Sequence, residues 1–259
     1  MPVKVGCCGF PMARAEYYRR FPVVEIQQTF YNLPRIATAE RWCREALDRR
    51  PRNGPADFEF TMKAWQLITH EPSSPTYRRL RQAIPGAEKA LYGSFQPTEP
   101  VLKAWSETAA VARSMGASVI VFQCPPRFRP TPTHVEHLRR FFSAIDRTGL
   151  VTAWEPRGDW PPEMVQGLCE ELDLVHVVDP LKQLPQSGGL RYFRLHGVTG
   201  YRYLHTDLDL QAVAEQCAAE APTYVLFNNL FMGEDALRLQ KLLARPALRL
   251  VRPDRQRRA

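Results

Sequence analysis

The chain contains eight short runs of apolar residues, each rich in β-branched or aromatic side chains. Several of these runs are almost continuously apolar and do not alternate with polar residues. That pattern is typical of strands buried on both faces, which is the environment found in a parallel sheet. We predict strands over residues 3–8, 23–28, 58–63, 118–124, 151–155, 174–179, 191–196 and 223–228.

Helical periodicity occurs between these runs. In residues 99–115 the apolar side chains recur on one face, and Gly116 follows as a natural C-terminal stop. Residues 180–189 are too few and too rich in proline and glycine for a full helix, so we expect the helix after strand six to be reduced to a loop. The predicted helices cover residues 38–50, 99–115, 133–145, 161–172, 209–219 and 234–243.

This alternation of strands and helices predicts an α/β fold, a (β/α)8 TIM barrel. A doubly wound open sheet is the competing fold, but the chain has no G-x-G-x-x-G turn after its first strand and no phosphate-binding loop. A length of 259 residues suits one barrel. We therefore expect a single domain over residues 1–245 and a basic, solvated C-terminal tail over residues 246–259.

Polar residues follow nearly every apolar run, at the end of the strand where TIM barrels carry their chemistry. Alternation along strand two places Glu25 and Gln27 on one face. Buried charges are costly unless paired, so their convergence on one mouth indicates a polar network or a ligand site. The insertion at residues 68–97 is expected to cover part of this mouth. The candidate site residues are Glu25, Gln27, Lys63, Gln123, Glu155, Arg157, Asp179, Arg194, His196, Asn228 and Asn229.

Taken singly, these residues also have ordinary structural explanations. Lys63 could be a strand-end lysine that reaches solvent, and His196 could be a satisfied core histidine. Glu155 and Arg157 could form an ion pair that serves only the fold. It is their combination at one end of the predicted barrel that favours a functional site.

Net charge and cysteine usage limit the kinds of partner and the cellular location to be expected for the protein. The formal charge of +8 suits an anionic partner, either a small molecule or a nucleic acid. Only six of the 35 basic residues are lysine, a balance that is equally typical of a biased genome composition. Most of the basic residues are dispersed along the chain, and they cluster only at residues 49–52 and in the tail. The six cysteines form no C-x-x-C motif, and we find no signal peptide or membrane span. A cytoplasmic location is therefore expected.

The same strand-end segments resemble the YecE-like family, also called domain of unknown function 72. The resemblance implies a TIM barrel and brings no established reaction. This chain departs from the family pattern in having Cys7 and Cys8 near its start and Gln27 where the family often has asparagine. At most one of the two cysteines can face the barrel interior, and we expect both to be buried structural thiols. The matching segments are residues 24–34, 58–63, 68–70, 123–128, 154–157, 160, 192–197 and 227–229.

The leading functional hypothesis is an enzyme that acts on an anionic, phosphate-bearing substrate, with hydrolysis as the reaction class. Lys63, Arg157 and Arg194 would hold the anion, since arginine suits bidentate contacts. The general base or acid would be Glu25 or Glu155, with His196 as the proton-transfer partner. Gln27, Gln123 and Asp179 would contact substrate, and Asn228 and Asn229 would donate hydrogen bonds to developing charge.

Two alternatives remain open from the sequence. No cofactor is expected, but His70, Glu155, Asp179 and His196 are the available metal ligands for a phosphodiesterase-like or endonuclease-like barrel. A non-catalytic nucleic-acid-binding protein is the other alternative, because aromatic residues in loops can stack on bases while arginines neutralise phosphates. The aromatic residues considered for that role are Tyr77, Tyr92, Phe128, Tyr201 and Tyr203.

Overall fold

The eight predicted strands form a closed parallel barrel in which each strand pairs with the next and β8 pairs with β1. A computed structural model describes residues 3–48, 58–186, 189–217 and 221–244. The prediction of a (β/α)8 barrel is therefore confirmed. The strands are β1 (Val3–Cys7), β2 (Val23–Ile26), β3 (Glu59–Lys63), β4 (Ala117–Gln123), β5 (Val151–Glu155), β6 (Val175–Val178), β7 (Arg191–Leu195) and β8 (Thr223–Phe227).

Helices surround the barrel, and those that were predicted agree with the structure to within a few residues at their ends. The described residues between β6 and β7 form turns and loop, as the proline and glycine content of that segment indicated. Two helices were not predicted, α1 and the four-residue α3. The helices are α1 (Arg14–Arg20), α2 (Ile36–Asp48), α3 (Gln66–Thr69), α4 (Glu99–Met115), α5 (Pro132–Ala144), α6 (Pro162–Leu172), α7 (Asp207–Cys217) and α8 (Met232–Leu243).

Strand β2 is two residues shorter than predicted. Gln27 has helical backbone angles, and residues Gln28–Phe30 form a 3-10 helix. The hydroxyl of Thr29 holds this turn, because it donates hydrogen bonds to the backbone oxygens of Ile26 and Lys63, at 2.9 and 2.7 Å. The turn therefore ties the end of β2 to the end of β3.

The strands are buried on both faces, which explains their continuous apolar runs. Outside the barrel, aromatic rings such as Phe122 and Phe141 pack between strands and helices. The smaller inner cluster is made of Cys8, Val23, Val119, Val121, Ala153, Val177, Tyr192, Tyr224 and Leu226. At the N-terminal end of the barrel, Glu59 closes the interior by pairing with Lys4 and accepting a hydrogen bond from the Tyr224 hydroxyl.

The two adjacent cysteines lie on opposite sides of the barrel wall, as alternation predicts. Cys7 belongs to the outer core and Cys8 to the inner cluster, and both are buried. Burial raises the pKa of the Cys7 thiol to about 12 and that of Cys8 well above its ordinary value. Neither thiol is therefore a nucleophile at neutral pH.

Two of the sequence-based expectations fall outside the residues that the structure describes: the basic cluster at residues 49–52 and the tail at residues 246–259. In the described part of the chain, no helix is long and apolar enough to cross a membrane.

Gly6 gives a direct test of how tightly β1 lies against β2. A Cβ atom at this position would lie 2.0 Å from the backbone oxygen of Val23. We expect Gly6→Ala to lower the free energy of unfolding by about 1–3 kcal/mol or more, because the overlap involves backbone that cannot rotate away. Urea unfolding followed by circular dichroism measures this loss.

Gly167 is the matched control for that substitution. It lies in the middle of α6 and is exposed, and no heavy atom beyond its own helix lies within 4 Å of the position that a Cβ atom would take. Gly167→Ala should raise stability by up to about 1 kcal/mol through helix propensity. Equal effects at the two positions would contradict the close approach at Gly6.

Candidate active site at the barrel mouth

Arg194 is the centre of the polar cluster inside the C-terminal end of the barrel. Strand β7 directs it inward, and its side chain is fully buried. Its Nε and Nη2 atoms each lie 3.0 Å from one oxygen of Glu25, which makes a bidentate pair. Its Nη1 atom donates to Glu155 and, at 3.2 Å, to the amide oxygen of Gln123. All three guanidinium nitrogens therefore donate to protein atoms.

Glu25 is the buried carboxylate on the other side of this pair. Its Oε2 atom also accepts a hydrogen bond of 2.8 Å from the Tyr192 hydroxyl, and the Gln27 amide donates to its Oε1 atom. Gln27 thus joins Glu25, as predicted, although it does so from the turn after β2 and not from the strand itself. With three donor residues around it, Glu25 has the partners that a buried carboxylate requires.

Glu155, Arg157 and His196 form the rim of the cluster. Arg157 donates from Nε to Glu155 and from Nη2 to the Nε2 atom of His196, both at 2.8 Å. Burial alone would raise the pKa of Glu155, but Arg194 and Arg157 together lower it to about 2. Glu155 is therefore ionised at neutral pH. Arg157 keeps about a third of its side chain exposed, so it is the arginine of the cluster that faces solvent.

His196 lies beside both arginines of the cluster. Its Nε2 atom accepts from Arg157 and lies 3.5 Å from Nη1 of Arg194, so the proton of the neutral ring is on Nδ1. Burial and the charge of Arg194 lower the pKa of this ring to about 3. The ring stays neutral at physiological pH and acts as an acceptor that orients Arg157, which does not fit a proton-transfer partner.

Lys63 is the unmatched charge of the site. It ends β3, is about 5 % exposed, and its Nζ atom lies 3.9 Å from the centre of the Phe30 ring. In the described part of the chain, no carboxylate forms an ion pair with it. Burial, and then the charge of Arg194, lower the pKa of this amine to about 7. Glu25 and Glu155 balance the two arginines, so the protonated form of Lys63 has no carboxylate of the cluster left to pair with.

Two predicted site residues lie in other networks. Asp179 begins the turn after β6, where its carboxylate accepts from the backbone nitrogen of Leu181 at 3.1 Å and pairs with Lys182 at 3.7 Å. Asn229 is buried in front of α8 and donates to Asp235 at 2.7 Å. The prediction that these side chains join the others at one mouth is therefore not supported by their contacts, since both are engaged in local structure.

Asn228 directly follows β8 and is half-buried, and its backbone nitrogen donates to the Leu195 oxygen at 2.8 Å. Sequence reasoning missed Tyr192, which shares an inward face with Arg194 and bonds both Glu25 and Thr61. The alternation of β7 was the available signal, because the residue two positions before an inward arginine is itself inward.

An open cleft of about 510 Å³ adjoins the cluster. The segment that follows β3 forms one wall, so the expectation that this insertion covers part of the mouth agrees with the structure. The loop after β4 forms the opposite wall, and Arg157 and Gln123 contribute to the lining. The wall residues are His70, Glu71, Ser73, Ser74, Pro75, Thr76, Ser94, Cys124, Pro125, Pro126, Arg127 and Phe128.

The four candidate metal ligands do not form a common site. The Nε2 atom of His196 and both oxygens of Glu155 face arginine donors, while His70 bonds Thr69 through Nδ1 at 2.8 Å. Among the described residues, no group of three or more histidine, cysteine or acidic side chains is arranged to hold a metal ion. The residues present therefore do not fit a metal centre at this mouth.

The buried position of Arg194 predicts a large loss of stability when its charge is removed. Arg194→Met would leave Glu25 and Glu155 buried without their shared counter-charge, and we expect it to cost about 3–5 kcal/mol of unfolding free energy. Arg139 is the control, because it makes a comparable bidentate pair with Glu171 on the surface. Arg139→Met should leave the urea midpoint almost unchanged. Similar shifts for both variants would contradict the central role of Arg194.

Comparison with known proteins agrees with this architecture. A DUF72 protein from Enterococcus faecalis is 21 % identical, with a TM-score of 0.69 over 94 % of this chain and 98 % of its own. A DUF72 protein from Thermotoga maritima is 20 % identical, with a TM-score of 0.64 over 95 % and 100 %. A xylose isomerase domain containing protein from Salmonella typhimurium is 15 % identical, with a TM-score of 0.56 over 95 % and 100 %.

At these identities the structural likeness shows the fold alone. Among curated proteins, none matches this chain. The family model described as "Protein of unknown function DUF72" matches residues 12–257, which is nearly the whole sequence. The chain therefore belongs to the DUF72 family, and its barrel carries the fold of that family.

Proposed function

We propose that the protein is an enzyme that binds an anionic substrate, carrying a phosphate or a carboxylate, in the cleft at the C-terminal mouth of its barrel. The observation that carries this proposal is the charge balance of the mouth. Two buried carboxylates face three basic side chains, and the third, Lys63, is buried without an ion pair in the described part of the chain. An anion bound beside Arg157, the basic residue of the cluster that lines the cleft, would add negative charge to this cluster.

Arg157 is the residue best placed to contact the anion. It lines the cleft, remains about one-third exposed, and its orientation is fixed by Glu155 and His196. A guanidinium held by protein acceptors loses little conformational entropy when it binds a ligand. Arg194 is by contrast a positioning residue, because every nitrogen of its guanidinium already has a protein partner.

We assign the proton-transfer role to Lys63 in place of the predicted combination of Glu25 or Glu155 with His196. Glu155, with a pKa of about 2, and His196, with a pKa of about 3, are both weak bases at neutral pH. General acid–base catalysis is most effective when the pKa lies near the working pH, and the Lys63 amine, at about 7, meets that condition. Hydrolysis was expected through Glu25 or Glu155 with His196. Since Glu25 is enclosed by donors from Arg194, Tyr192 and Gln27, the geometry gives hydrolysis less support than chemistry at an amine.

The alternative hypothesis, nucleic-acid binding without catalysis, depended on loop aromatic residues, and most of these are buried or hydrogen-bonded within the protein. Phe128 and Tyr92 are buried, the Tyr77 hydroxyl donates to the backbone oxygen of His70, and the Tyr203 hydroxyl donates to Asp209. Of the aromatic residues considered for base stacking, Tyr201 is the one that is exposed. A single exposed ring does not make a stacking platform.

Binding of inorganic phosphate tests the proposal before any substrate is known. We expect isothermal titration calorimetry to show saturable binding that weakens as ionic strength rises, because the contact is between charges. Arg157→Met should weaken binding about tenfold or more, which corresponds to the loss of a charge-assisted hydrogen bond.

Arg140 provides the control for this measurement, since it is exposed on α5 and pairs with Glu136. Arg140→Met should bind phosphate as the unmodified protein does. Equal affinities in the Arg157 and Arg140 variants, or no saturable binding by the unmodified protein, would contradict an anion site at the mouth.

A further inference from the structure

Lys63 differs from the other lysines of the chain. Lys4 pairs with Glu59 and Lys182 with Asp179, whereas Lys63 is buried against the Phe30 ring with no ion pair in the part of the chain that the structure describes. The chain has six lysines, all of them within the described ranges: Lys4, Lys63, Lys89, Lys103, Lys182 and Lys241.

The Lys63 amine lies between an aromatic ring and the charged side chains of the cluster. One side is the Phe30 ring, which also contacts the ring of His70, a residue that lines the cleft. The charges of Arg194 and Arg157 disfavour the ammonium form, while those of Glu25 and Glu155 favour it. A structural lysine would reach solvent or pair with a carboxylate, because burying an unpaired ammonium is costly.

We propose that Lys63 is a nucleophile whose amine forms a Schiff base with the carbonyl group of an anionic substrate, an oxo acid or a phosphorylated aldehyde or ketone. This inference rests on the proposed function, since Arg157 would hold the anionic group while Lys63 reacts with the carbonyl. A desolvated lysine close to another cationic group is a recognised form of activated amine.

The step conserves atoms and electrons without an added oxidant or reductant. The lone pair of Nζ forms a bond to the carbonyl carbon, and the electrons of the C=O π bond move to the oxygen. The resulting carbinolamine loses that oxygen as water, together with the two hydrogens of the amine, and the C=N bond forms. One further proton from solvent gives the iminium ion, which withdraws electrons from the neighbouring carbon.

The reaction requires the neutral amine, and the site supplies it near neutral pH. Burial and the neighbouring arginines lower the pKa of Lys63 to about 7, so about half of its amine is unprotonated at that pH. An exposed lysine with an ordinary pKa has less than about 0.1 % of the neutral form there. His70 stays neutral, with its pKa lowered to about 3 by burial and by Lys63 itself, so it adds no competing charge.

Reductive trapping with peptide mapping tests the inference on the unmodified protein. Pyruvate or dihydroxyacetone phosphate is added at pH 7 with sodium borohydride, which converts a Schiff base into a stable secondary amine. Mass spectrometry then gives the fraction of each lysine that is modified. We expect Lys63 to be modified at least about tenfold more than any other lysine, because of its larger neutral fraction.

The two probes separate the substrate classes, and dihydroxyacetone serves as the neutral control. Preference for pyruvate indicates an oxo acid, and preference for dihydroxyacetone phosphate indicates a phosphorylated carbonyl compound. Lys63→Arg keeps the charge, lacks the nucleophile, and should lose the dominant adduct. Lys103→Arg, on the exposed side of α4, should keep it.

If the exposed lysines are modified and Lys63 is not, the proposal that Lys63 is a nucleophile is wrong. That result is distinguishable from failure of the proposed function, because phosphate binding is measured separately on the same preparation. Saturable phosphate binding without a Lys63 adduct would leave an anion site that works without a Schiff base. If neither saturable phosphate binding nor a Lys63 adduct is observed, the proposed anion site is wrong as well.

Discussion

The ion pairs of Arg194 are the constraint on which the mouth of this barrel depends. A guanidinium and two carboxylates are buried inside a closed sheet, where each would be strongly unfavourable alone. Inward alternation on β2, β5 and β7 directs all three side chains into the barrel interior, where Arg194 bonds both carboxylates. The surrounding polar groups, Tyr192 and Gln123, then satisfy the lone pairs and donors that remain.

The electrostatic environment of Lys63 follows from this arrangement. Since Glu25 and Glu155 are matched by Arg194 and Arg157, no carboxylate of the cluster is left for Lys63. Burial, and then the positive charge of Arg194, lower the pKa of Lys63, and the same two causes lower the pKa of His196. Among the basic side chains of the cluster, Lys63 is thus the one without an ion-pair partner in the described residues, and Arg157 is the one that lines the cleft.

Much of the fold could be predicted from sequence, because strands buried on both faces have an unmistakable pattern and their polar ends mark the carboxyl side of the barrel. Glu25, Gln27, Lys63, Gln123, Glu155, Arg157, Arg194 and His196 were found in that way. For Asn229 and Asp179 the pattern identifies the strand end but not the partner, because a polar residue there can equally serve a helix start or a turn. Their partners, the backbone of Leu181 and the carboxylate of Asp235, lie two and six residues further along the chain, so both contacts are local.

Roles were harder to predict than positions. The sequence shows that Arg194 and His196 lie at the mouth, but whether an arginine faces a ligand or a carboxylate depends on contacts between strands far apart in the chain. Arg194 and Glu25 are separated by 169 residues, and only the closed barrel brings them together. The same holds for Lys63. Its distinguishing feature is that it has no ion-pair partner among the described residues, and no pattern in the sequence indicates this.

Measuring the pKa of Lys63 is the most direct test of the claim that this lysine lacks a counter-charge at the mouth of the barrel. Nuclear magnetic resonance of protein labelled with 13C at the lysine ε-carbon gives a midpoint for each of the six lysines, and Lys63→Arg identifies the signal of Lys63. We predict a midpoint near 7 for Lys63, well below the ordinary lysine value of 10.5. A Lys63 midpoint near 10.5 would show that the ammonium is solvated or paired, and would contradict both the unmatched charge and the nucleophile.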